Sequence, residues 1–285
     1  MIREIIRIAQ TKKQLIGIGV DLTEREYISR TIQAAESAAE KNLADILLIG
    51  NKTEIESYGI SSKLQVMHSP HPERTLLELL RKNEIAGAVR GSLSSSKFLN
   101  EVKQQFNTAH LFRIALLETA SNFSFLFAPL GIDEGKNLAE KVTLVHAALS
   151  LLETLNLEKE PIGILSGGRL SDIGRDRRVD KTIKEAEELI SILQQQGITV
   201  KVQHYEILIE NAIAAECKFI LAPDGISGNL IYRTLVHLGN GKSHGAWYYN
   251  LSPPIIDTSR VGPLFEYESA IAFASALATK SAGVD

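Results

Sequence analysis

The sequence predicts an α/β protein built as two three-layer αβα domains with mainly parallel sheets. Short apolar runs alternate with helical patterns from residue 15 onward, the rhythm of a parallel sheet. Runs such as ILLI and GAV are continuously apolar instead of alternating, as expected of strands covered by helices on both faces. The alternation breaks near residue 112, where FRIALLE and FSFLFAPL follow one another without a long helix, and such a break is where one domain passes to the next.

The elements follow in order. MIREIIRIAQTKKQ predicts an amphipathic helix that packs Ile2, Ile5, Ile6 and Ile8 on its own domain. LIGIGV is a strand, EREYISRTIQAAESAAEKN a helix, ADILLIG and LQVMHS strands, PERTLLELLRKNE a helix, and IAGAVRG a strand leading to the helix KFLNEVKQQF. Beyond the break, NLAEKVTLVHAALSLLETL is one long helix. Then come PIGILSG, the helix KTIKEAEELISILQQQ, ITVKVQ, a helix over Ile207 to Ala215, KFILAPDG, a helix from about Gly228 to Leu238, and the strand SHGAWYYN. PPIIDTS and a last helix, Tyr267 to Ala282, return to the first domain. The expected organisation is residues 1–112 with 254–285 as one domain and 113–253 as the other. No Pro/Gly/Ser-rich linker separates them, so an interdomain cleft is expected, a preferred place for ligands.

Composition narrows the function. The 285 residues are 44% hydrophobic and 23% charged, the balance of a globular protein. The formal net charge of −3 supplies no basic surplus for a nucleic-acid partner. Cys217 is the only cysteine, which excludes an internal disulfide and a Cys-based zinc site and favours a reducing, cytoplasmic compartment. No apolar run approaches the roughly 20 residues that span a bilayer, so no membrane partner is expected. The histidines are scattered, with no HExxH or comparable metal pair, and no metal site is expected. GIGVD, at Gly17 to Asp21, lacks the third glycine of a dinucleotide fingerprint, no P-loop appears, and Ser166 is not in a GxSxG elbow.

What remains is a set of polar turns at strand ends. Asp224, Gly225, Ser227, Gly228 and Asn229 lie where a strand enters a helix, so small residues let backbone N–H groups approach a phosphate; a tight turn with Asp224 or Ser227 as the helix cap explains the same residues. Asp257, Thr258, Ser259 and Arg260 combine hydroxyls with a guanidinium fork suited to an oxyanion, or they cap the last helix while Arg260 makes a surface ion pair. Gly91, Ser92, Ser94, Ser95 and Ser96 form another phosphate seat or an ordinary cap. Ser166, Gly167, Gly168 and Arg169, followed by Arg175, Arg177 and Arg178, either hold a ligand's phosphates or start a solvated helix.

APDGISGNLIYRTLVHLGNG followed by SPPIIDTSR resembles the phosphate acetyl and butyryl transferases, with their PD...GN...YK helix, strand and terminal Ser-Arg pair. NFSFLFAPLGIDEGKNLAEKVTLVHAALSLLETLNLEKEPIGILS and AGAVRGSLSSSKFL extend the resemblance over nearly the whole chain, though the C-terminal segment alone is motif-specific. The resemblance implies the isocitrate and isopropylmalate dehydrogenase-like fold of the phosphotransacetylases, a homodimer, and acyl transfer between coenzyme A and phosphate in the cleft. Carried over by position, Ser259 and Arg260 polarise the acyl carbonyl and hold phosphate, Ser95 and Ser96 line the phosphate site, and Asp224, Gly228 and Asn229 shape the opposite wall. Such donors would stabilise the negative charge that the reaction develops.

The sequence also departs from that family. The family's SRG followed by an acidic base is here SRV, with Glu266 or Glu268 near the position of the base. Ser94 stands in place of a histidine, Glu101 in place of a helical arginine, and Arg90 in place of a small residue. A divergent branch fits better: the chain resembles the MtxX, or methanogenesis marker, proteins associated with methyl transfer. It carries neither a glycine loop for S-adenosylmethionine nor a corrinoid-binding histidine motif. The expectation is a transferase that binds a phosphate, acyl phosphate or phosphorylated cofactor, coenzyme A among them, through Ser259, Arg260, Glu266, Arg90, Ser94, Ser95, Ser96, Ser166, Asp224, Gly228 and Asn229. The alternatives are methyl transfer in one-carbon metabolism and a non-catalytic ligand-binding or assembly role.

Overall fold

The computed structural model describes residues 1–21 and 25–281. Glu24, with which the first long helix was expected to open, and Ala282, at the expected end of the last, lie outside the described residues. The chain divides into two compact units: unit one is Met1–Leu111 with Ser243–Asp285, and unit two is Phe112–Lys242.

Unit one carries the strands β1 (Leu15–Gly19), β2 (Asp45–Gly50), β3 (Leu64–His68), β4 (Gly87–Val89), β10 (Lys242–Tyr248) and β11 (Ile255–Asp257). Their order is β3-β2-β1-β4-β11-β10. All neighbours are parallel except the pair β10 and β11. The helices α4 (Pro72–Arg81) and α5 (Ser95–Gln105) pack on each other, and α1 (Ile2–Thr11) and α2 (Arg25–Glu40) pack on α10 (Leu264–Ser281). The short α3 (Lys52–Glu56) follows β2. Leu76, Leu80, Phe98, Val102, Tyr248 and Ile255 belong to one buried cluster. The all-apolar runs foreseen for β2 and β4 are buried, as a doubly covered sheet requires.

Unit two orders its strands β5-β6-β9-β7-β8. β5 (Arg113–Glu118) and β6 (Ser124–Ala128) make the antiparallel hairpin that broke the sequence rhythm, and β7 (Ile162–Ile164), β8 (Val202–His204) and β9 (Phe219–Leu221) are parallel to one another and to β6. The helices are α6 (Leu138–Thr154), α7 (Arg177–Gln195), α8 (Ile209–Ala214) and α9 (Gly225–His237). From Ser243 onward β10 falls in unit one, whereas the sequence grouped it with the second domain; its ladder to β11 is the reason. No helix of the described residues is long and apolar enough to cross a membrane.

Candidate functional site

Two strand-end turns of unit one meet. β4 ends at Val89, and Gly91 turns the chain with φ +65, a conformation that glycine adopts without steric cost. A Cβ there would stand 2.1 Å from the Gly19 carbonyl, so the close approach to β1 also requires glycine. Ser92 is fully buried, and its Oγ accepts from the Asp21 N–H at 2.9 Å. Ser94 is the N-cap residue of α5 but makes no side-chain cap bond. Its Oγ lies 3.3 Å from the Ser96 Oγ, and Ser95, Ser96 and Lys97 are exposed. Hydroxyls and first-turn N–H groups therefore face solvent at the positive end of a helix.

The second turn, residues 257–263, comes against this one. The Arg260 Nε donates to the Ser92 carbonyl at 3.0 Å, and its Nη2 pairs with Asp21. The Arg260 guanidinium lies 5.7 Å from the centre of the Tyr27 ring, and Arg30 stands at 5.7 Å from the same ring. The Arg260 side chain keeps 31% exposure. Ser259 is half-buried beside it. The structure thus brings Ser259 and Arg260 to the start of α5, where Ser94, Ser95 and Ser96 lie.

The Arg90 guanidinium is spent inside the protein, on Asp257, the Leu93 carbonyl and the Thr258 carbonyl. It is only 4% exposed. Burial works against its charge, but the Asp257 carboxylate prevails and holds its pKa above the ordinary value. Glu266 is 1% exposed, and its Oε1 accepts the Ser259 N–H at 2.6 Å. Burial pushes its carboxyl up to about 8, against the pull of the Ser259 N–H; Asp257 pushes the same way and Arg90 opposes. Glu268 instead accepts from Ser37 on α2 and from Lys41 just beyond its end, so the acid at the Ser-Arg turn is Glu266. Glu101 pairs with Arg74 of α4, which answers its charge.

The candidates in unit two are used differently. Asp224 caps α9 by accepting the Ser227 N–H at 2.7 Å. The helix thus begins at Gly225, earlier than the expected Gly228. Gly228 packs beneath Pro129, where a Cβ would fall 2.0 Å from the carbonyl oxygen. The Asn229 Nδ2 donates to the Leu130 carbonyl at 2.9 Å. Ser166 is buried, donates to the Gly168 carbonyl at 2.8 Å, and lies 2.8 Å from His204 Nε2. Burial depresses the His204 pKa, with the Glu206 and Glu187 carboxylates opposing. The cap-and-turn reading of these residues is the one their hydrogen bonds support. Cys217 is buried, with Tyr205 and Gly163 for neighbours.

Sequence reasoning missed Asp21, Tyr27 and Arg30. Asp21 lay within the rejected GIGVD motif, although its place just past the end of the first strand was a usable signal. Tyr27 and Arg30 looked like ordinary helix-surface residues.

No family model matches the chain. A protein of Methanosarcina mazei named "Putative methyltransferase mtx subunit X" is 38% identical over 269 residues, which cover 94% of this chain and 92% of that protein. The chain belongs to the MtxX family. A phosphate acetyltransferase of Rickettsia felis is 25% identical over 264 residues, covering 82% of this chain and 73% of the relative. Among solved structures, the EutD phosphotransacetylase from Staphylococcus aureus aligns with a TM-score of 0.72 at 12% identity, covering 97% of this chain and 99% of that one. This MtxX protein has the α/β fold of the phosphotransacetylases.

Proposed function

We propose that this MtxX protein serves methyl transfer in one-carbon metabolism by holding a phosphate-bearing ligand at the Ser259–Arg260 turn of unit one. Membership of a family whose relatives are named methyltransferase subunits supports the methyl-transfer context. The observation that carries the ligand class is Arg260, fixed by the Ser92 carbonyl and Asp21, next to the exposed first turn of α5 with its serine hydroxyls. A planar guanidinium beside a helix N-terminus selects a tetrahedral oxyanion over a carbonyl or a cation. Asp21 occupies part of the guanidinium, so a ligand phosphate has to compete with a carboxylate, which favours a doubly charged group over a singly charged one.

Acyl transfer between coenzyme A and phosphate, the second reading, draws on the phosphotransacetylase fold. The placement of Glu266 tells against it, because a carboxyl buried to 1% exposure and bonded to a backbone N–H does not meet an incoming thiol. A ligand-binding or assembly subunit without turnover is the third reading. Thermal-shift titration with coenzyme A, acyl phosphates, nucleotides and pterin cofactors, followed by assays with methyl-cobamide and methyl-pterin donors, separates the three. Methyl transfer requires stabilisation by a phosphate-bearing cofactor and consumption of a methyl donor. Exchange of acetyl phosphate with coenzyme A without methyl transfer would replace it with the second reading, and binding without any turnover with the third.

We also infer a homodimer, with a second copy covering α9. Only Gly225 and Gly228 of that helix are buried, while Ile226, Leu230 and the following Leu238 are 57%, 61% and 84% exposed. Ile132, in the loop that carries the α9 contacts of Leu130 and Gly131, is 70% exposed. An apolar helix left bare is a surface that association covers. Leu230→Glu is expected to shift the mass in light scattering to that of a monomer; an unchanged dimer would place the interface elsewhere.

A further inference from the structure

The backbone of the Ser-Arg turn is fastened from several elements at once. Arg90, at the end of β4, donates to the Thr258 carbonyl. The Gly262 N–H closes the turn on the Ser259 carbonyl at 2.9 Å. The Tyr267 hydroxyl of α10 donates to the Arg260 carbonyl at 3.1 Å, and Arg30 of α2 donates to the Gly262 carbonyl at 2.8 Å. The Ser259 N–H goes to a side chain that is itself buried, the Oε1 of Glu266, at 2.6 Å. The Glu266 Oε2 is buried against Gly262, where a Cβ would come within 2.4 Å of it, and the Ser243 hydroxyl is the polar side chain that interacts with this carboxyl.

We propose that Glu266 is a positioning residue which, from inside the core of unit one, holds the Ser259–Arg260 turn in its ligand-binding geometry. The inference rests on the reading of that turn as the phosphate site. It reverses the role that the family resemblance implies for this position, a base acting on substrate. A shifted carboxyl in a protein commonly marks a proton-transfer group, but such a group must reach the proton it moves. Glu266 reaches the backbone of its own turn.

The protonation state follows from the surroundings. Around Glu266 stand Asp257 from β11, Arg90 from the end of β4, Tyr267 on α10 itself and the Ser243 hydroxyl of β10, with Arg30 reaching the turn from α2. An ionised Glu266 would place a second carboxylate, cut off from water, beside Asp257, a cost that the Ser259 N–H, Arg90 and the Ser243 hydroxyl only partly offset. At neutral pH Glu266 is therefore mainly the neutral acid, whose Oε1 still accepts the Ser259 N–H. Its folded pKa, about 8, lies above the ordinary carboxylate value. The stability it contributes is thus fully present below the ordinary carboxylate range and is lost as pH rises through about 8.

The test compares Glu266→Gln, which keeps an acceptor for Ser259 and cannot ionise, with Glu266→Ala, which removes the acceptor. Amide hydrogen exchange at Ser259 and Arg260 is read without ligand, and inorganic phosphate affinity is read by calorimetry from pH 6 to about 9, spanning the titration. Glu266→Gln is expected to keep wild-type protection and affinity at pH 6–7 and to hold both above pH 8, where the wild type declines. Glu266→Ala is expected to speed exchange and weaken phosphate binding by about tenfold, the scale of one hydrogen bond. If Glu266→Ala does not fold, Glu266→Asp, one methylene shorter, makes the same comparison. Wild-type behaviour of the shortened or truncated variant, or a Gln variant as impaired as Ala at pH 6–7, overturns the proposal. If the wild type binds no phosphate, the phosphate reading of the turn fails, and the proposal falls with it even where the exchange data show Glu266 ordering the backbone.

Discussion

The polar strand-end turns of the two units look alike in sequence and are used in opposite ways. In unit two Asp224, Asn229 and Ser166 direct their polar atoms at the chain itself, as a helix cap and as bonds to the Leu130 and Gly168 carbonyls. In unit one the internal fastening is done by Arg90, Glu266, Tyr267 and Arg30. Ser259, Arg260 and the serines at the start of α5 are half-buried or exposed, with Arg260 bonded to Asp21 and the Ser92 carbonyl. On the proposed function, a strand-end turn serves as a binding site when neighbouring residues satisfy its backbone, a division that spacing alone does not display.

That contrast can be broken at several points. The largest effect is expected from Arg90→Ala, which breaks the buried Arg90–Asp257 ion pair; loss of such a pair costs about 3–5 kcal/mol, readable as a fall in unfolding free energy in urea. Gly228→Ala forces a Cβ against the Pro129 carbonyl and should destabilise unit two by about 1–3 kcal/mol, measured the same way. Arg260→Ala gives up the Asp21, Ser92 and Tyr27 contacts but should leave the fold intact, while weakening phosphate by about 10- to 100-fold, the value of one charged hydrogen bond or slightly more. The smallest effect is expected from Asp224→Ala, about 1 kcal/mol of lost capping with no change in phosphate affinity. Were Asp224→Ala to weaken phosphate as much as Arg260→Ala, the division between the two turns would be wrong.

Most of the fold was legible because hydrophobic period and continuity report burial directly, and β2, β4, α6 and α7 all obey them. The start of α9 was not, because a GISG opening has low helix propensity; an Asp224 cap and the packing of Gly225 and Gly228 outweigh it. β10 was grouped with its sequence neighbours because its ladder partner comes later in the chain. Residue type singled out Ser259, Arg260 and the serine turn, which the fold places on adjoining turns of unit one. Asp21, Tyr27 and Arg30 stayed hidden because their roles arise from contacts more than 200 residues away in the chain.

The most direct measurement is the titration of ¹⁵N-labelled protein with inorganic phosphate, followed amide by amide. The account predicts saturable shifts at Ser94–Lys97 together with Ser259 and Arg260, displaced to about 10- to 100-fold higher phosphate in Arg260→Ala. Shifts confined to Ser166–Gly168 or Ser227–Asn229, with the Ser259–Arg260 turn silent, would contradict it.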